Sequence, residues 1–204
     1  MRKIFITGIG TDTGKTIASA VITEALKADY WKPVQCGTEP ETDAETVRRL
    51  ISNTKSRIHR EAYCLKEAAS PHAAAEKEGI RIELGKITLP ESANQTLVIE
   101  GAGGLLVPLN ENELVADLIG HLNAGVILVV NFYLGSINHS LLTCAELKRR
   151  KLSVLGIIFS GEINGASEQV ILKQSGLKKL GHIPFEPGFG RTSVLKNVTQ
   201  FQGI

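Results

Sequence analysis

Gly8-Ile9-Gly10-Thr11-Asp12-Thr13-Gly14-Lys15-Thr16 stands between an apolar run, Ile4-Phe5-Ile6, and an amphipathic segment that opens at Ile17-Ala18. The order reads as strand, glycine loop, helix. A loop of this kind wraps backbone N–H groups around phosphate oxygens at a helix N-terminus, where the helix dipole also favours negative charge. In that arrangement Lys15 reaches the terminal phosphates and the Thr16 hydroxyl meets Mg²⁺. The spacing departs from the common pattern, which has four residues between its two glycines. Ile9 fills the place of the first, and counting from Gly8 leaves five. The plainer alternative is a glycine turn with a helix-capping threonine.

Beyond the loop, apolar β-branched runs alternate with helical patterns. The runs predict strands over Lys3–Thr7, Tyr30–Val34, Thr96–Ile99, Val126–Asn131, Val154–Phe159 and Lys179–Ile183. Helices are predicted over Lys15–Lys27, Asp43–Ser52, Ser70–Glu78, Ile82–Thr88, Glu113–Leu122, Asn138–Arg150 and Ala166–Gly176. Several strands are nearly continuous in Val, Ile and Leu, the pattern of strands buried on both faces. The succession predicts an α/β fold: a doubly wound, mostly parallel sheet flanked by helices. At 204 residues it reads as one domain, with a polar, weakly periodic insertion from Thr38 to Pro90.

The charge balance, 23 basic against 21 acidic residues, gives no electrostatic footprint for nucleic acid. Lys148-Arg149-Arg150-Lys151 is the densest basic run and reads as a solvated helix end. The three cysteines, Cys36, Cys64 and Cys144, lack metal-ligand spacing and argue against a disulfide framework. The N-terminus reads as neither signal peptide nor membrane span, so a cytoplasmic protein without a membrane partner is expected.

Ligands of doubly wound sheets bind at the carboxyl ends of strands, and the residues there carry chemistry. Lys32 follows Trp31 within the second run; a lysine is almost never buried unless paired. It points into the ligand crevice or snorkels from an edge strand, and local sequence does not choose. Asp43 opens a helix after Thr42, as a first-turn carboxylate or a Mg²⁺ ligand. Glu100 ends a fully apolar strand, where a carboxylate is costly without a cation partner. Gly101-Ala102-Gly103-Gly104 follow it and suggest close approach of a ligand to the backbone. Gly135-Ser136-Ile137-Asn138 precede another helix, as a second anion site or as ordinary capping by Ser136 or Asn138.

Together these pieces resemble the dethiobiotin synthetase family. The matching segments are Gly8 to Thr16, Lys32-Pro33-Val34 with Gly37, Ser70-Pro71-His72, Glu100 to Gly104, and Gly135 with Ile137-Asn138-His139. The five-residue spacing in the glycine loop also fits that family. The resemblance implies an ATP-dependent cyclo-ligase that forms C–N bonds. Its substrates would be 7,8-diaminononanoate, CO₂ or bicarbonate, and ATP, with Mg²⁺. It implies catalytic roles for Lys15 and Lys32, and metal ligation by Thr16, Asp43 and Glu100. ATP would meet Asp12, Thr13, Gly14, Lys15, Thr16, Ile17, Asp43, Glu100, Gly101, Ala102 and Gly103. Its base would lie among Ser160, Pro184, Phe185 and Glu186. The diamine would meet Thr11 and Cys36, and amides of Ser136, Ile137 and Asn138 from the partner subunit of a homodimer. Two departures stand out. Cys36 replaces the family's usual Ser or Thr, and Ser160-Gly161 replaces an Asn-Asp pair that reads adenine's edge. Two rivals share the loop. A glutamine-using amidotransferase ligase needs a glutaminase segment for which this length leaves no room. A partitioning ATPase carries an extra early lysine where Ile9 and Gly10 stand.

Overall fold

The computed structural model describes residues 1–204. Its strands are β1 (Arg2–Gly8), β2 (Asp29–Trp31), β3 (Val34–Cys36), β4 (Ile58–His59), β5 (Tyr63–Leu65), β6 (Thr96–Gly104), β7 (Gly125–Asn131), β8 (Val154–Ser160) and β9 (Lys179–Ile183). Its helices are α1 (Lys15–Leu26), α2 (Asp43–Leu50), α3 (Pro71–Lys77), α4 (Val115–Leu122), α5 (Ser136–Arg149), α6 (Gly165–Ser175) and α7 (Arg191–Asn197). Seven strands form one parallel sheet in the order β4-β2-β6-β1-β7-β8-β9.

Strand alternation divides the core. Ile4 and Ile6 face α1, α2 and α7, while Phe5 faces the layer of α3, α4, α5 and α6. From Ile4 onward both faces of β1 are buried, which accounts for its unbroken hydrophobicity. No helix is long and apolar enough to cross a membrane.

The structure corrects four sequence expectations. The run Tyr30–Val34 is not one strand: Asp29–Trp31 joins the large sheet, and Val34–Cys36 pairs with β5 in a separate two-stranded sheet. Pro33 lies at the break and has no N–H for a ladder. The segment Ile82–Thr88 is no α-helix; only a 3₁₀ turn forms at Leu84–Lys86. Ile82 and Ile87 are both fully buried, so the segment runs as a strap over the core, tied by the Ile82 carbonyl accepting from Asn110 Nδ2 at 2.7 Å. Helix α5 opens at Ser136, two residues before the expected start. Its cap is Gly135 at φ 103°, so neither Ser136 nor Asn138 caps it. The fourth correction concerns Gly101. A Cβ there would stand 2.8 Å from the Phe5 ring. Packing against Phe5 is therefore enough by itself to require glycine there.

Candidate active site

The loop after β1 opens on the carboxyl edge of the sheet, between its neighbours β6 and β7. Ile9 N–H donates to the Val129 carbonyl at 3.3 Å and anchors the loop, while the N–H groups of Gly10 to Thr16 take no backbone acceptor. Gly14 caps α1 at φ 88°, and any Cβ there would strike Ser160 Oγ at 2.4 Å. The glycine is thus fixed both by its left-handed backbone and by contact with β8. Thr13 Oγ1 is buried without a partner. Seven amides without a backbone acceptor at a helix start supply the donors of an anion cradle.

Beside the cradle sits a buried charge network. Strand register pairs Trp31 with Ile99, which sets the following residues, Lys32 and Glu100, side by side. Lys32 Nζ donates to Glu100 Oε1 at 3.2 Å and also pairs with Asp43 Oδ2. Thr16 Oγ1 lies 2.8 Å from both Asp43 Oδ1 and Glu100 Oε1. Tyr30 Oη donates to Glu100 Oε2 at 2.9 Å. Glu100 is fully buried and Lys32 only 4% exposed. The choice left open for Lys32 is thereby decided: it is a buried, paired cation.

The charges respond to this setting. Burial by itself pulls the Lys32 ammonium down, but the Glu100 and Asp43 carboxylates outweigh it and hold its pKa above the ordinary lysine value. Burial likewise opposes ionisation of Asp43, yet Lys32 and Thr16 hold it below the usual carboxylate range. For Lys15 burial prevails and lowers the pKa, with Lys32 adding repulsion and Glu100 opposing. Tyr30 is pushed well above its ordinary value by burial and by Glu100, so it donates as a neutral phenol. Cys36 is pushed up to about 11, chiefly by burial, and stays a thiol.

Thr16, Asp43 and Glu100 present only oxygen donors, the chemistry that suits Mg²⁺. No group of three His, Cys, Asp or Glu side chains gathers to hold a metal unaided. A Mg²⁺ ion here would depend on phosphate and water for its remaining ligands, and the residues present fit that case.

A cleft of about 1400 Å³ joins these groups. That exceeds the roughly 300–1,000 Å³ of a site for one small molecule, so it has room for two. Its walls include Thr11 to Ile17, Lys32, Cys36, Asp43, Glu100, Ala102, Gly103, Ser136, Ile137, Ser160, Pro184 and Phe185. Three expected site residues do not line it: Gly101, Asn138 and Glu186. Gly101 offers only its carbonyl, to Lys32 Nζ at 3.4 Å, and Glu186 accepts from Ser193 Oγ. Of the three amides at the start of α5, that of Ser136 donates to the Tyr133 carbonyl at 2.9 Å, while those of Ile137 and Asn138 have no backbone acceptor. Two residues escaped the sequence reading. Tyr30 stands inside an expected strand, and its partner lies far away in sequence. Asn131 ends β7 in the cleft wall, with Oδ1 buried and unpartnered and Nδ2 3.4 Å from the Asp12 carbonyl; its place at a strand's carboxyl end was the available signal.

Sheet order, glycine cradle and paired lysine define a P-loop nucleotide-binding protein. The fold is shared with a ParA-family ATPase from Chlorobium tepidum (TM-score 0.60, 13% identity, 99% of this chain and 95% of that one) and with the MinC:MinD cell division complex from Aquifex aeolicus (TM-score 0.62, 14% identity, 100% and 95%). A family model described as AAA domain matches residues 2–193. The chain is 58% identical to the ATP-dependent dethiobiotin synthetase BioD of Cytophaga hutchinsonii over 90% of its length and 88% of that protein. It is 47% identical to the synthetase of the same name from Christiangramia forsetii, over 98% and 96%. The chain belongs to the dethiobiotin synthetase family.

Proposed function

We propose that this chain acts as one P-loop ligase domain in the cytoplasm and closes the ureido ring of dethiobiotin from 7,8-diaminononanoate, CO₂ and ATP. One amine adds to CO₂ and loses a proton, giving a carbamate. A carbamate oxygen takes the γ-phosphoryl group and ADP leaves. The second amine then attacks the carbonyl and loses a proton, phosphate leaves, and the ring is closed. No side chain forms a bond to substrate, in keeping with a protonated Cys36.

The observation that carries this reading is Lys32, buried against Asp43 and Glu100 one step from the glycine cradle. A reaction that joins two anions needs fixed positive charge between them in a site that excludes water. Lys15, now donating to the Gly10 carbonyl at 2.8 Å, and Lys32 supply it. Mg²⁺ held by Thr16, Asp43 and Glu100 would neutralise charge on the phosphates. The cradle amides and Ile17 would fix the triphosphate, and the wall from Ser160 to Phe185 the base. Thr11 and Cys36 would border the diamine. Free amides of Ile137 and Asn138 would receive the carboxylate of a diamine bound in a second copy of the chain. Support for that dimer comes from apolar side chains beside those amides: Leu134 is fully exposed and Leu142 is 61% exposed.

Incubation with ATP should yield ADP only when diamine and bicarbonate are both present, with dethiobiotin detected by mass spectrometry. Equal ATP hydrolysis without diamine would sink the ligase reading. Sedimentation should find a dimer, and a fully active monomer would remove the shared site.

A further inference from the structure

His182 stands on β9, beside Phe159 of β8 in the sheet register. Its ring meets two groups that only accept hydrogen bonds. Nδ1 lies 3.0 Å from Glu168 Oε1 and Nε2 lies 2.8 Å from the Gly161 carbonyl oxygen. A neutral imidazole has one N–H and can satisfy one of them; only the imidazolium satisfies both. We propose that His182 is a positioning residue for the nucleotide base: charged, it bridges Glu168 to the Gly161 carbonyl and fixes the loop after β8 against the ligand.

Gly161 is held to β9 from both sides, since its own N–H donates to the Ile183 carbonyl at 3.0 Å. It lines the cleft next to Ser160, which abuts Gly14 of the phosphate cradle. Ile163 and Phe185 also line this end of the cleft and are 78% and 80% exposed. The inference rests on the proposal that ATP occupies this cleft. The charged groups around the ring are few. Glu168 approaches from α6, and Lys179, on the same strand as His182, pairs with Glu168. Gln200, from the turn after α7, is uncharged and bonds the His182 backbone in both directions.

Calorimetric titration with ATP and with inorganic tripolyphosphate separates base from phosphate. His182→Phe should weaken ATP about tenfold, the scale of one hydrogen bond to a charged group, and leave tripolyphosphate unchanged. In turnover the KM for ATP should rise with kcat preserved. Glu168→Gln should keep ATP affinity, because its amide donates to Nδ1 of a neutral ring whose Nε2–H still serves Gly161. Ring ¹⁵N shifts should show both nitrogens protonated in the ATP complex. Unchanged ATP affinity in His182→Phe, equal weakening of both ligands, or a ring with only one protonated nitrogen overturns the inference while leaving the nucleotide site standing. A wild type that binds neither ligand refutes both.

Discussion

The two ends of β2 each adjoin a buried carboxylate, Asp29 within the strand and Glu100 on the neighbouring β6, and they treat it differently. At the amino end Asp29 is 2% exposed and accepts from Arg57 N–H at 2.8 Å, His59 Nε2 at 2.9 Å, Ser92 Oγ at 2.6 Å and the Asn94 amide. Three partners come from the chain's own loops and His59 from β4, so the carboxylate is closed off and complete. At the carboxyl end Glu100 is equally buried, but its partners Lys32 and Thr16 are shared with Asp43 and lie in the cleft wall. A buried carboxylate held by fixed local donors serves the fold. One held by side chains that also border open space is arranged to exchange partners when a ligand arrives.

The sharpest break in this contrast is Lys32→Ala. It should cut turnover by about 10²–10³-fold, the loss typical when one preorganised charge-stabilising donor is removed, while the circular dichroism spectrum stays native. Near-normal turnover would take Lys32 out of the chemistry and make the two ends of the strand alike. Next in size is Tyr30→Phe. Without the phenol, Glu100 Oε2 loses its donor, and Oε1 is no longer held toward Thr16. Removal of a group that orients a metal ligand costs about 10–100-fold in metal affinity. The Mg²⁺ concentration for half-maximal ADP formation should rise by that factor. An unchanged Mg²⁺ requirement would show that Glu100 is oriented by Lys32 and Thr16 alone.

How far the sequence carried the reader depends on the same distinction. The glycine loop, Lys32 and Glu100 were legible because each breaks a local rule: glycines at a strand end, and charges adjoining apolar runs. The long buried strands were legible from unbroken hydrophobicity. Tyr30 was not, because a tyrosine in an apolar strand breaks no rule, and its acceptor comes from another strand. The split at Pro33 could have been read from the missing N–H. Short elements such as β4, β5 and α7 escaped because two to seven residues give too little periodicity. The false helix at Ile82–Thr88 arose because spaced apolar residues in a strap mimic one face of a helix. The glycines after Glu100 misled for a related reason: a glycine marks close approach, but not of what, and at Gly101 it is Phe5.

At the closed end the expected effect is on stability, not rate. Asp29→Asn should cost about 2 kcal/mol in denaturant unfolding at neutral pH, since an amide cannot accept all four donors and buried unsatisfied groups cost about 1–3 kcal/mol. kcat should be unchanged. A comparable fall in turnover would mean that the amino end of the sheet communicates with the cleft, and the contrast would fail.

The smallest effect tests the sign of that same carboxylate's contribution. Burial opposes its charge, but Ser92, the Arg57 N–H, His59 and Asn94 together hold its pKa below the ordinary aspartate value. A group with a depressed folded-state pKa binds protons less readily when folded. Its stabilisation is therefore complete above the unfolded value, about 3.9 for aspartate, and is lost as pH falls through the folded one. The unfolding free energy of the wild type minus that of Asp29→Asn should shrink as pH falls below about 4. Glu24 and Asp43 also have lowered pKa values, but both are present in each protein and cancel in the difference. A gap that stays constant through the acid range would mean that Asp29 stabilises the fold by shape alone, and that its four donors do no more for the ion than for the neutral acid.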